Sequence, residues 1–327
     1  MCPHGSHPTP EPVAPDRDER LEWGEVTTEP PATSPVTDAH PVPGADLWEL
    51  ASRRAELLAA RARDGELDAI TADLARRLSS APAKVRRVRS EDPADAALVD
   101  DLVAAEPVHP FAGPADLADR FDDDRRVLVL EHPLLPGAPM NVVFVALLRG
   151  TPSHLGDVLD PSAATLEPTM ADTAAFYSIW NVVPGVRGLD GGRQLLEGAV
   201  ALLRAELPGL RTFVTLSPVP GFRRWATAGG TDEELDPDHP DLLRTAARYL
   251  TTVVDGRPLD AVAGFHLGNG ARLMAVHRHA DPSVRGDQRS WGVMANYRYE
   301  PEDRPANRAA LAAGRPAVGE AITGLLA

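Results

Sequence analysis

Two side chains in this sequence stand beside turns that would fix them and carry groups suited to hydrogen bonding or acid–base work. One is the serine that ends an apolar run in Leu216-Ser217-Pro218-Val219-Pro220-Gly221-Phe222. The other is the histidine that precedes a glycine-rich turn in Gly264-Phe265-His266-Leu267-Gly268-Asn269-Gly270. Prolines lock φ, so the turn behind Ser217 would hold its hydroxyl in place. The imidazole of His266 titrates in the range that suits acid or base work. A third segment, Val183-Pro184-Gly185-Val186-Arg187-Gly188-Leu189-Asp190-Gly191-Gly192, carries a strand exit into a helix start through four glycines. Small residues let backbone N–H groups approach a ligand, and a helix N-terminus adds partial positive charge, so this place suits a pyrophosphate. Arg187 and Arg193 would add charge there. Each piece by itself also fits a structural role: a proline turn, a packed histidine, a flexible surface loop.

The rest of the composition narrows the chemistry by exclusion. The 33 basic residues include a single lysine, Lys84, which lies in the arginine-rich stretch Lys84-Val85-Arg86-Arg87-Val88-Arg89. Schiff-base chemistry and lysine-anchored cofactors would all hang on that one residue. There is no Gly-x-x-x-x-Gly-Lys loop, His-Glu-x-x-His helix, Gly-x-Ser-x-Gly elbow or cysteine pair, so no metal site is expected. A net charge of -15 argues against nucleic acid as a partner, and no apolar run is long enough for a membrane span. The start of the chain lacks a basic and then apolar leader, and Cys2 is the lone cysteine, so a reduced, cytoplasmic protein is expected.

The elements that must position these residues follow from periodicity. Residues 1–45 hold ten prolines and eight acids against two arginines, a composition that predicts a disordered acidic tail; His4 and His7 fall within it. From Asp46, a plausible N-cap, apolar residues recur at helical spacing through Leu47, Leu50, Ala51, Leu57 and Leu58, then Leu67, Ile70, Leu74 and Leu78. With a third helical stretch over 94–105, residues 46–107 read as a small all-α domain whose role is packing or subunit contact. Beyond it, apolar and partly β-branched runs at 127–130, 142–148, 173–183 and 211–216 predict strands. Between the last two lies a helix over 193–207 with Leu195, Leu196, Ala199, Leu202 and Leu203 on one face. Strand, helix, strand makes residues 108–327 an α/β or α+β domain with helices packed on a sheet.

Taken together in this order and spacing, several segments resemble the malonyl-CoA decarboxylase family. They are Val108-His109-Pro110, Asp124-Arg125-Arg126-Val127 to His132-Pro133, Phe176-Tyr177-Ser178-Ile179, Gly185 to Pro208, the Ser217 and His266 segments, and Ala280-Asp281 through Tyr299. The resemblance implies an α+β, GNAT-like mixed sheet with flanking helices, preceded by an oligomerising helical domain. It implies decarboxylation of malonyl-CoA, or a substituted malonyl thioester, to acetyl-CoA and carbon dioxide without a cofactor, the acyl-CoA being substrate. The family's active-site serine and histidine fall on Ser217 and His266. Its supporting glutamate falls on Asp190, one methylene shorter and expected to orient His266, and its tyrosine falls on Tyr297, expected to line the pocket. The CoA pyrophosphate is expected on Arg187, Gly188, Gly191, Gly192 and Arg193. The chain departs from the family at Phe144, where a glutamate is usual, and at His277-Arg278, where Asn-Trp is usual. Two other readings share the residues: a GNAT-like acyltransferase, with His277, His279 or Asp281 serving an acceptor, and a non-catalytic acyl-CoA-binding relative.

Overall fold

A computed structural model of the chain describes residues 45–62, 65–231 and 234–327. The expected disordered tail, with His4 and His7, therefore lies outside the described residues. The helices in chain order are α1 (Ala45–Ala59), α2 (Gly65–Leu78), α3 (Ala96–Ala105), α4 (Pro114–Arg120), α5 (Gly156–Leu159), α6 (Gly191–Glu206), α7 (Phe222–Trp225), α8 (Leu242–Thr251), α9 (Ala261–Gly268), α10 (Val284–Ser290), α11 (Arg304–Ala312) and α12 (Glu320–Leu326). The strands are β1 (Lys84–Val88), β2 (Arg125–Glu131), β3 (Asn141–Leu148), β4 (Thr173–Asn181), β5 (Thr212–Thr215), β6 (Ser217–Pro218), β7 (Val253–Val254), β8 (Arg257–Pro258), β9 (Arg272–His277) and β10 (Met294–Arg298). All but the small β7–β8 ribbon join one sheet in the order β1-β2-β3-β4-β5-β10-β6, with β9 also on β10.

The α+β, GNAT-like arrangement is present: a mixed, mostly antiparallel sheet with helices on both faces. Among the strands of the described residues its one parallel pair is β4–β5, which spans Thr173↔Thr212 to Phe176↔Thr215. Parallel neighbours need a crossover, and α6 supplies it by laying Leu195, Leu196, Ala199, Val200 and Leu203 on the sheet. Side chains alternate between the faces along β3: Val143, Val145 and Leu147 join the core beneath α1, α6, α8 and α9, while Val142, Phe144 and Ala146 join the core beneath α3 and α4. Phe144, where the family usually has a glutamate, is wholly buried, stacks on Trp180 at 5.6 Å and meets Phe111, Phe121 and Tyr177 edge-on. An apolar ring suits that face better than an ion, because a lone charge there would lose its hydration.

Three expectations for the N-terminal part are corrected. Residues 46–107 are not all helical: Lys84–Val88 forms a strand antiparallel to β2. It lacks an apolar pattern because it is the sheet's edge, where charged side chains discourage further pairing. Arg86 binds Asp95 and Glu131, Arg87 faces Glu206, and Val85 fits against Gly198 of α6. Nor do α1 and α2 stand apart, since Leu47, Ala51, Leu74 and Leu78 share the core of the sheet. Helix α1 also begins at Ala45, so Asp46 lies in its first turn rather than before it.

Candidate active site

Strand β4 runs five residues beyond its last pairing with β5, and this opens the site. The ladder ends where Leu216 N–H donates to the Phe176 carbonyl at 3.2 Å. Ser217-Pro218 then turns to pair with β10, opposite Ala295 and Met294. Pro218 has no N–H to offer β4, so the sheet parts between Tyr177–Asn181 and Leu216–Pro218. A cavity of about 1090 Å³ passes through the gap, lined on one face by residues of α6 and α9 and on the other by residues of α10. That volume lies at the upper end for small-molecule sites and suits a long ligand better than a compact one.

Ser217 and His266, 49 residues apart in sequence, meet in this gap with Oγ and Nε2 3.0 Å apart. Ser217 is placed by the short β6 pairing, and His266 by α9, whose N-terminus Asp260 caps by accepting from the N–H groups of Val262 and Ala263, each at 2.9 Å. Ser217 Oγ donates to Thr215 Oγ1 at 2.9 Å, and Thr215 Oγ1 accepts from Tyr297 N–H at 3.2 Å. The other imidazole nitrogen, Nδ1, lies 2.7 Å from the Tyr299 hydroxyl. With Ser217 donating to Thr215, Nε2–H donates to Ser217 and Tyr299 donates to Nδ1, so each hydrogen is used once. Burial pulls the pKa of His266 down to about 3, which keeps the ring neutral at ordinary pH. Burial also raises Tyr299 well above its usual range, so it remains a hydroxyl donor.

Asp190 and Tyr297 take places other than those expected. The Asp190 carboxylate is half exposed and grips the Arg193 guanidinium, Oδ1 to Nε at 2.6 Å, while Ser217 and Tyr299 hold both nitrogens of His266. Its backbone sits in the left-handed region at φ 67°, the residue before α6, a conformation aspartate tolerates. Tyr297 is wholly buried behind the histidine instead of on the cavity wall, its ring stacked on the imidazole at 4.6 Å and 25°. Tyr299 and Thr215 were missed. Tyr299 was legible only as the last residue of the segment from Ala280 that resembles the family, since nothing in its spacing says which hydroxyl will face Nδ1 33 residues away.

The glycine segment forms the other end of the cavity, and Arg187, Gly188, Gly191, Gly192 and Arg193 all line it. The first N–H groups of a helix lack partners within it, so the start of α6 presents donors to an anion. A Cβ at Gly191 would meet Asn141 Oδ1 at 2.2 Å and one at Gly192 the Phe265 ring at 2.5 Å, so a larger residue at either position would push a neighbouring side chain aside. Arg193 is already paired with Asp190 and Glu197, so its charge is partly answered within the protein. The loop ahead of α6 is held from α1, another contribution sequence reading missed. The buried Arg54 donates to the carbonyls of Gly185 and Arg187, both at 2.8 Å, and to Thr71. Gly185 touches α1 so closely that a Cβ would lie 1.9 Å from the Ala51 carbonyl oxygen.

Two further groups complete the electrostatics. Asp260 lines the cavity, and burial raises its pKa to about 6 against the bonds from its capped N–H groups. His277 and Arg278, where the family has Asn-Trp, are occupied structurally: His277 Nε2 bonds Asn296 Oδ1, and Arg278 donates to the carbonyls of Pro237 and His239. Among the described residues no cluster of three histidine, cysteine, aspartate or glutamate side chains is placed to hold a metal ion.

Comparison with known proteins points to one family. The family model described as the malonyl-CoA decarboxylase C-terminal domain matches residues 83–237 and 231–327. The mitochondrial malonyl-CoA decarboxylase of Anser anser anser is 30% identical over 316 residues, 81% of this chain and 62% of its own length. That of Rattus norvegicus is 29% identical over 276 residues, covering 70% and 56%. The chain thus spans about three fifths of these curated relatives. The crystal structure of malonyl-CoA decarboxylase from Agrobacterium vitis superposes with a TM-score of 0.76 at 36% identity, over 88% of this chain and 77% of that one. The enzyme from Rhodopseudomonas palustris gives 0.72 at 32%, over 84% and 75%. With the family model matching most of its length and the Ser217–His266 pair assembled in the cavity, the chain belongs to the malonyl-CoA decarboxylase family.

Proposed function

We propose that the protein decarboxylates malonyl-CoA, or a substituted malonyl thioester, to the corresponding acyl-CoA and carbon dioxide. The observation that carries this reading is the contact between Ser217 and a neutral His266 inside a cavity that begins at the N-terminus of α6. The pantetheine arm runs from the α6 glycines into the β4–β6 gap, with the pyrophosphate on the backbone of Gly188, Gly191 and Gly192 and with Arg187 and Arg193 beside it.

The reaction asks little of the protein beyond geometry and hydrogen bonding. As the bond to the carboxylate breaks, its electron pair moves into the thioester carbonyl and an enolate forms. A donor aimed at that oxygen, in a site with little water, stabilises the charge as it develops. Ser217 is that donor once its hydrogen swings from Thr215 to the substrate. One proton must then reach the α-carbon: Ser217 delivers it, Nε2–H of His266 restores it, and solvent in the cavity returns it to the ring. Asp190 holds Arg193 for the phosphates, and Tyr297 fixes the plane of the imidazole.

A single cysteine in the chain fits a reducing compartment, and none of the described helices is long and apolar enough to cross a membrane. The test is incubation with malonyl-CoA, methylmalonyl-CoA and related thioesters, with carbon dioxide release and product masses followed together. Loss of 44 mass units, on the order of one carboxyl as carbon dioxide, is expected without any added acceptor. Unchanged thioesters across the panel would end the proposal.

A further inference from the structure

The Ser217–His266 chemistry uses the gap and the face of the sheet that carries α6 and α9. The cavity continues to the other face, where His109, Tyr177, Trp180, Asp281, Arg285 and Arg289 line a second lobe. Three buried side-chain atoms of these residues make no hydrogen bond: His109 Nε2, Tyr177 Oη and Trp180 Nε1. Buried polar atoms are nearly always paired, and three orphans around one lobe indicate a ligand that supplies the missing partners. An indole N–H can only donate and a buried phenol donates readily, so the ligand brings acceptors.

The lobe is built rather than incidental. Opposite Phe144 and Val145, β4 carries one extra residue, a bulge at Tyr177. A bulge re-aims side chains, and here Tyr177 and Trp180 both join the aromatic cluster around Phe144 while Ser178 bonds Glu106 at 2.7 Å. The same Glu106 oxygen accepts from the N–H groups of Val108 and His109, at 2.7 and 3.0 Å, and Arg285 donates to the Pro107 carbonyl at 2.9 Å. These bonds fix the turn that presents His109.

Resting on the decarboxylase reading, we infer that this lobe is the subsite for the distal carboxylate of the acyl chain, held by the Tyr177 hydroxyl and the Trp180 indole N–H. A thioester in the gap beside Ser217, with its carboxylate drawn to the opposite face of the sheet, has the breaking bond turned out of the plane of the carbonyl. That is the alignment the departing electron pair requires. Neutral donors in an aromatic setting orient the carboxylate without the direct ion pair that would stabilise it before reaction. Burial holds the His109 imidazole neutral, with its pKa down to about 4, and the ring bonds the Tyr177 backbone, so it lines the lobe without adding charge.

Tyr177→Phe and Trp180→Phe test this, each removing one donor and little volume. Tyr177→Phe is expected to lower kcat/KM for malonyl-CoA about tenfold or more, the scale of one hydrogen bond to a charged group. Its acetyl-CoA affinity should stay within about twofold, and its Tm should not fall, since the lost hydroxyl has no partner in the free protein. Binding is read in a Ser217→Ala background, where malonyl-CoA should bind more tightly than acetyl-CoA and lose that preference with Tyr177→Phe. Wild-type kcat/KM in both variants, or equal losses for malonyl-CoA and acetyl-CoA, would overturn the subsite. A preference for malonyl-CoA without carbon dioxide release from the wild type would sustain the subsite and defeat the decarboxylase reading. Carbon dioxide release without any such preference would do the reverse.

Discussion

The Tyr299 hydroxyl stands 2.7 Å from Nδ1 of His266, so a tyrosine just past the end of β10 rather than a carboxylate orients the histidine that faces Ser217. A phenol at this position leaves the imidazole uncharged and fixes which nitrogen points into the gap. Tyr299→Phe should therefore leave the fold intact and strand one buried nitrogen. That costs about 1–3 kcal/mol, and turnover should drop by roughly ten- to a hundredfold with little change in KM. Asp190→Asn, by contrast, should act on KM through Arg193. Steady-state kinetics of the two variants separate the roles; a collapse of kcat in Asp190→Asn with Tyr299→Phe near wild type would reverse them.

Ser217 and His266 act as one unit in the proposed reaction, and removal of either should disable both. Ser217→Ala and His266→Ala are each expected to lower kcat by roughly a hundredfold or more, about 3 kcal/mol, while CoA binding stays nearly intact. Groups that share one function are not additive, so the double variant should fall close to the worse single one. Independent, multiplying losses measured in a double-mutant cycle would argue that the two side chains serve separate steps.

The grip of α1 on the nucleotide loop offers a test remote from the chemistry. Gly185→Ala places a Cβ against the Ala51 backbone, which cannot yield as a side-chain tip would. Arg54→Met removes the bonds to the Gly185 and Arg187 carbonyls. Both should lower Tm and raise KM for the CoA substrate several-fold, with kcat changed less, since the loop positions phosphate-binding backbone and not Ser217. Thermal melts beside KM measurements check this, and an unchanged KM in both variants would detach the loop from CoA binding.

Burial of ionisable groups sets a pH dependence with a definite sign. His266 and His109 have folded pKa values lowered to about 3 and about 4, so the unfolded chain binds more protons than the folded one up to the ordinary histidine pKa. Stability from these two is complete above about pH 6.5 and falls by about 1.4 kcal/mol per pH unit for each as pH drops below it. Asp260, raised to about 6, works the other way between about pH 4 and 6, because the folded state holds its proton longer. Asp260→Asn should thus steepen the loss of stability over that range by about 1.4 kcal/mol per pH unit. Chemical denaturation at several pH values checks this, and a slope identical to wild type would show that Asp260 is ionised in the fold as it is outside it.

Much of the site was legible in the primary structure because its chemistry lies in short, contiguous segments. The proline-bounded Ser217, His266 before its glycines, and the four glycines leading into α6 each announce themselves by local backbone requirements, and the apolar periodicities at 127–130, 142–148, 173–183 and 193–207 mark strands and a helix that are present. Lys84–Val88 did not read as a strand, because an edge is stabilised by arginine pairs with distant acids that no local pattern contains. What only the tertiary structure decided is which groups face each other across the gap. Asp190 turned to the nearer Arg193, Tyr297 stacked behind the imidazole, Tyr299 took Nδ1, and a bulge at Tyr177 opened a second lobe. Backbone conformation follows from neighbours in sequence, whereas the partner of a buried polar atom is chosen by packing among residues tens of positions apart.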